Sequence, residues 1–118
     1  MSSTFDLVTI DSPQPDVLAS FWCAALSLHE TQREDDDRWL VLSDVTGVRR
    51  IGLQRGAHMP SGIHLDLVCR LDEFTGEVAR LVALGAGLAH PLRHEPYGSI
   101  ANLTDPDGNQ FDLCAYRP

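Results

Sequence analysis

Residues 64–88 read HLDLVCRLDEFTGEVARLVALGAGL, and residues 7–28 read LVTIDSPQPDVLASFWCAALSL. Each stretch begins with a short run in which apolar residues alternate and then changes to apolar spacings of three and four, which is the signature of a strand followed by an amphipathic helix. In the later copy the strand is 63–69, with His64 and Asp66 on one face and Ile63, Leu65, Leu67 and Cys69 on the other. Its helix is expected over 72–84, with Phe74, Val78, Leu81, Val82 and Leu84 inward and Gly85 as the C-cap. In the earlier copy the strand is 5–11, closed by Ser12-Pro13-Gln14-Pro15, and the helix is 15–26. Val17, Leu18, Phe21, Trp22, Ala25 and Leu26 form its stripe, and Pro15 fits the first turn, where its missing N–H costs nothing.

Working outward, each helix is followed by three short strands. After the first they fall at 28–33, 38–43 and 49–55, joined by the acidic turn Glu34–Asp37 and by Val45-Thr46-Gly47. After the second they fall at 87–92, 98–104 and 110–116, the last two joined by Asp105-Pro106-Asp107-Gly108-Asn109. Hairpin-length connections make these strands antiparallel neighbours. The chain is therefore expected to be one α+β domain, 1–118, made of two βαβββ modules at about 5–55 and 63–116, with 56–62 as a linker. Two such half-cores give a curved, cupped mixed sheet with the helices on the outer face and the other face free to receive a ligand.

Composition narrows the function classes. With 17 acidic against 9 basic residues the formal charge is -8, so the basic stripe that nucleic acid needs is missing. Cys23, Cys69 and Cys114 are an odd number without a CxxC pair, which argues against a disulfide scaffold and a thiolate zinc site. No run has the length of a membrane span or the pattern of a signal peptide, so no membrane partner and a cytoplasmic setting are expected. A P-loop, a dinucleotide fingerprint, a nucleophile elbow and a His-Glu-x-x-His pair are all absent from the sequence.

Phe21-Trp22, the strand IHLDLV, the phrase LVALGAGLAHP and the tail EPYGSIANLTDPDGNQFDLC together resemble the vicinal-oxygen-chelate superfamily of glyoxalase I, extradiol dioxygenases, and fosfomycin- and bleomycin-resistance proteins. The tail is similar to a glyoxalase-like branch. The resemblance implies a homodimer that handles a small molecule. It also implies metal ligands on the first and last strands of each module. Matched by position, His64 stands at one of these places and Asp112 at another where a glutamate is usual; Gln54 and Leu7 occupy the other two. A neutral amide and a leucine leave that set incomplete, so no tightly held transition metal is expected. If a divalent ion does bind, the resemblance implies His64, Gln54 and Asp112 as its ligands.

The residues themselves point the same way. Asp66 shares a strand face with His64 and could add a donor or hydrogen-bond its ring. Asp112 in NQFDLC alternates with Phe111 and Leu113, so it faces the ligand side. His64, Asp66 and Asp112 are thus the candidate catalytic groups, since histidine suits proton transfer near neutral pH. Trp39 and Tyr97 are candidate ligand walls, and Arg50, which shares the parity of Gln54, is a candidate contact for an anionic group. Two functions stay open: a lyase or isomerase acting by proton abstraction on a small apolar or aromatic metabolite, and a non-catalytic protein that sequesters a ligand.

Overall fold

In a computed structural model that describes residues 5–58 and 64–118, helix α1 runs from Pro15 to Leu26 with proline in its first turn. Ser12 Oγ accepts a hydrogen bond from Gln14 N–H (3.0 Å) just ahead of that turn. Ser27, in the left-handed region at φ 54°, ends the helix and returns its N–H to Cys23. Strand β1 (Val8–Ser12) precedes α1, and β2 (His29–Glu34), β3 (Trp39–Ser43) and β4 (Arg49–Arg55) follow. The sheet order is β1-β4-β3-β2, with β1 parallel to β4 and the other pairs antiparallel. Leu18, Phe21, Trp22 and Ala25 of α1 are buried, as are Leu40, Leu42, Ile51 and Leu53 of β3 and β4. The Phe21 and Trp22 rings meet edge to face at 5.0 Å. Val17, expected on this stripe, sits one residue to its flank and is exposed.

The second unit repeats the plan. Strand β5 (Leu65–Val68) leads through a 3-10 turn, Leu71–Glu73, into α2 (Phe74–Leu84), which ends at Gly85. Strands β6 (Gly87–Leu88), β7 (Arg93–Glu95), β8 (Gly98–Thr104) and β9 (Gln110–Tyr116) complete it. The order is β5-β9-β8-β6, with β7 also paired to β8 and β5 parallel to β9. Phe74, Val78 and Leu81 of α2 are buried, together with Ala101, Leu103, Phe111 and Leu113 of the sheet. Val82 and Leu84 are exposed, so the inner stripe of α2 is narrower than its sequence suggests.

The chain divides into two compact units, Met1–Met59 and Pro60–Pro118, and each carries the expected βαβββ order with a helix over one sheet face. The expected start of the second module at residue 63 lies outside the described residues. One element differs. The strand expected over 87–92 stops at Leu88, and the chain pairs with β8 again only at Arg93–Glu95. Pro91 lies in the gap, and a residue without an N–H cannot continue a ladder.

The duplication extends to the last turn of each unit. Asp44 Oδ1 accepts from Thr46 N–H (2.9 Å) and Val48 N–H (3.0 Å), and Asp105 Oδ1 accepts from Asp107 N–H (3.0 Å) and Asn109 N–H (2.9 Å). Gly47 at φ 88° and Gly108 at φ 85° donate to the backbone carbonyls of Asp44 and Asp105. Both turns need the left-handed residue that glycine adopts without strain. The second sets the register of β8 on β9, opposing Thr104 to Gln110 and Asn102 to Asp112.

Candidate functional site

Alternation along β9 buries Phe111, Leu113 and Ala115 toward α2 and sends Gln110, Asp112, Cys114 and Tyr116 to the opposite face. On β5, register pairs Asp66 with Asp112 and Val68 with Cys114. His64, one residue before the strand, brings its Nε2 to 3.5 Å from Asp66 Oδ1 and 3.7 Å from Asp112 Oδ2. One donor atom from each of the three residues lies within 4.8 Å of the others. Asp112 is further held by Asn102, whose Nδ2 donates to its Oδ1 at 2.8 Å. The Asp112 side chain is 18% exposed, against 48% for His64 and 70% for Asp66, so the cluster has a sheltered floor and an open mouth.

The donor chemistry fits a divalent cation. Bonds of about 2.1 Å to one ion place neighbouring donors roughly 3–3.5 Å apart, close to the His64–carboxylate separations of 3.5 and 3.7 Å. One imidazole and two carboxylates suit a borderline or hard ion, and the Asn102 bond fixes a ligand carboxylate as outer partners do in metal sites. His64, Asp66 and Asp112 could therefore coordinate a metal, with Asp66 supplying a third donor from within the second unit. Gln54, the third ligand implied by the resemblance, is exposed on β4 of the first unit.

The other sequence candidates lie as follows. Trp39 is half-buried on β3, opposite Gln54 in register, and its ring covers the Cα of Gly52. A bulge pairs Ser43 with Arg49 while Leu42 pairs with Ile51, so Arg50 is the extra residue of β4 there. Arg50 meets Asp44 at 3.0 Å, and Arg49 donates to Gln32 Oε1 at 3.1 Å. Tyr97 lies exposed in the turn between β7 and β8, with its carbonyl accepting from Arg117 N–H. His94, remote from the cluster in sequence, hydrogen-bonds Ser99 Oγ through Nδ1 (2.8 Å) and edges onto Phe74, which is a packing role.

Two features escaped the sequence reading. Asn102 could have been found by counting outward from the Asp105–Asn109 turn, which pairs it with Asp112. The apolar row Val68–Cys114–Ile100, beside the polar row Asp66–Asp112–Asn102, follows from the same count. Tyr116 lies one step beyond. The Cys114 thiol at its hydroxyl holds that phenol above its ordinary range, with burial and the Asp66 and Tyr97 charges acting in the same direction.

No curated protein sequence matches the chain. Among solved structures it is similar to a glyoxalase/bleomycin resistance protein/dioxygenase family enzyme from Burkholderia phytofirmans PsJN, at 17% identity and TM-score 0.81, covering 98% of this chain and 100% of that one. It is also similar to a mutant of the fosfomycin resistance protein FosX from Listeria monocytogenes, complexed with Mn(II) and 1S,2S-dihydroxypropylphosphonic acid. There the identity is 18% and the TM-score 0.78, over 99% and 93% of the two chains. FosX from Mesorhizobium loti gives 14% and 0.74, over 99% and 94%. At these identities the likeness is one of fold. The sequence itself matches the glyoxalase-like domain over residues 7–114, a span that takes in both helices and both duplicated turns, and on that match the chain belongs to the glyoxalase-like domain family of the vicinal-oxygen-chelate superfamily.

Proposed function

We propose that the chain binds a small metabolite against the His64–Asp66–Asp112 face and moves a proton on it, as a glyoxalase-like lyase or isomerase. The observation that carries this reading is an imidazole nitrogen facing two carboxylates, all three donors within 4.8 Å, on a strand face turned away from the helix. Neutral His64 accepts the proton from a carbon beside a carbonyl, leaving the electron pair on the carbonyl oxygen as an enolate. Asp66 and Asp112 stabilise the imidazolium that forms, and Asn102 keeps Asp112 oriented toward it. Where the deprotonated carbon carries a hydroxyl, the enediolate gives up that hydroxyl's proton and takes the proton from His64 on the former carbonyl carbon, which completes an isomerisation. Where the carbon β to the carbonyl carries a leaving group, its departure with the bonding pair as the carbonyl re-forms completes a lyase step. A divalent ion held by the same three residues would polarise a bound oxygen. His64 Nε2 would then be a ligand, so its use as a base belongs to the ion-free protein.

The exposure of His64 and Asp66 favours a second reading, in which the same face only sequesters its ligand, because a base left open to water is poorly shielded for proton abstraction. Either reading carries a homodimer and a cytoplasmic setting with it; sedimentation at micromolar concentration tests the first. The test of function is a screen of small carbonyl compounds by amide chemical shift, followed by proton exchange of each hit in deuterated water. Exchange that is lost in His64→Gln supports the enzyme. Binding that shifts His64 and Asp112 without exchange supports sequestration. Hits that leave both residues unmoved overturn the site.

A further inference from the structure

The open face of the second sheet carries the polar rows Gln110–Thr104 and Asp66–Asp112–Asn102, and Arg93 stands opposite Ile100 at the end of the next row. Beside Asp66, Asp112 and Asn102 runs the row Val68–Cys114–Ile100, and Tyr116 lies one step beyond Cys114. Val68 is 72% and Tyr116 57% exposed, although both are large apolar residues. They also line an open cavity of about 670 Å³ with Cys69, Arg70, Leu71, Asp72 and Pro118, beside the polar row rather than on it. Arg70 at the same cavity is engaged by Asp72, with its Nη2 2.8 Å from the carboxylate, so it does not offset the charge of the polar row.

We propose that this face takes a small primary amine, its ammonium group against Asp66 and Asp112 and its apolar body along Val68, Cys114 and Ile100 toward Tyr116. The proposal rests on the reading that the His64 face is the ligand site, and it names the ligand class. Charge complementarity selects the head: two carboxylates and one imidazole form a site that favours a cation. The apolar row selects an organic cation, since a metal ion would use the three donors and nothing of Val68 or Tyr116. Two residues along a strand advance about 6.5–7 Å, the reach of an ammonium group joined to a ring by a short alkyl link.

The test is a titration of the full chain, followed by amide and methyl NMR, with 2-phenylethylamine, ethylamine and manganese(II) chloride as probes. The aryl amine should bind about tenfold more tightly than ethylamine, from the apolar area that its ring covers. Val68→Ser, at an exposed position, should bring the two amines within about threefold. Asp66→Asn should weaken both. Equal affinities in the unsubstituted protein, or a preference that survives Val68→Ser, would overturn the proposal. So would binding indifferent to both Asp66→Asn and Asp112→Asn. Manganese binding with no saturable response to either amine would mark an inorganic cation site and overturn it too. If the amine fails while carbonyl hits still move His64, the proposed function stands without this ligand class. If the amine binds through Val68 while the His64 ring stays silent, the groove stands and the His64 reading falls.

Discussion

The two sheets share a strand order and a turn, yet they use the face away from the helix differently. On the first sheet part of that face is closed by its own side chains, while Asp11 and Gln54 stay exposed side by side. Thr31 and Ser43 share a hydroxyl bond of 2.7 Å, Arg49 reaches Gln32 at 3.1 Å and Asp6 at 2.9 Å, and the Trp39 ring lies over Gly52. On the second sheet, His64 Nε2 stays beyond hydrogen-bond length from both carboxylates, and an apolar row lies exposed beside them. A duplicated scaffold thus carries candidate chemistry where polar groups are gathered and left available rather than where they satisfy each other.

The largest effect that could break this comparison lies on one strand. Phe111 is fully buried toward α2, and its neighbour Asp112 faces the other way. Phe111→Ala should cost about 3–5 kcal/mol in denaturant unfolding through the cavity it leaves. Asp112→Asn should cost about 1 kcal/mol or less, since an amide can still accept from Asn102. Equal losses would mean that Asp112 is a structural partner and the second face is as closed as the first.

Next in size is a contrast between two glycines. A Cβ on Gly98 would run into the backbone of Ala115 and stand 2.9 Å from Tyr116 Cα, at a φ of 152° that disfavours side chains. A Cβ on Gly52 would meet the Trp39 ring and Leu7 Cδ1, which are side chains that can move. Gly98→Ala should therefore cost about 2 kcal/mol or more, and Gly52→Ala less, with the Trp39 fluorescence changed. Thermal unfolding of both variants checks the order. A larger loss at Gly52 would show that the first face is the more rigid one.

Much of this scaffold was legible in the residues because its signals are local. Pro15, the stripe Leu18–Phe21–Trp22–Ala25 and Gly85 mark helix ends and faces through spacing alone. The break at Pro91 and the bulge at Arg49–Arg50 were not read, since each depends on how a neighbouring strand pairs. His64, Asp66 and Asp112 could each be put on a face by alternation. Their convergence needed β5 to lie parallel beside β9, which is a long-range fact. Within the tail that carries the resemblance, the Asp105–Asn109 turn is consumed in holding Asp105 to its own loop, while Asn102 and Asp112 on either side of it face the site.

His64→Ala should separate site from scaffold with a small effect on folding. At 48% exposure, and without a hydrogen bond among the described residues, its loss should change stability by about 0.5 kcal/mol or less. Manganese(II) at millimolar excess should broaden the resonances around Asp66 and Asp112 in the unsubstituted protein, and this broadening should vanish in the variant. Broadening that persists without His64 would assign the cation to the carboxylates alone. A large loss of stability would make the imidazole structural.

The smallest effect tests the shared turn, through its copy in the first sheet. The Thr46 hydroxyl, then the Val48 and Thr46 N–H groups and the Arg50 guanidinium, hold the Asp44 carboxyl down to about 2, while partial burial acts the other way. A carboxyl whose folded value lies below its unfolded one stabilises fully above the unfolded value. That contribution is lost as pH falls from about 4 toward 2. Asp44→Asn keeps an oxygen for the Thr46 and Val48 N–H groups but removes the charge, so it should lower the melting temperature at neutral pH. The gap between the two proteins should then narrow as the pH approaches 2 and the carboxyl becomes neutral. Melting curves at matched ionic strength from about pH 6 down to about pH 2 would show the convergence. Parallel curves, with the same gap throughout, would mean that the turn holds Asp44 by shape rather than charge. The duplicated loop would then be a steric device in both sheets.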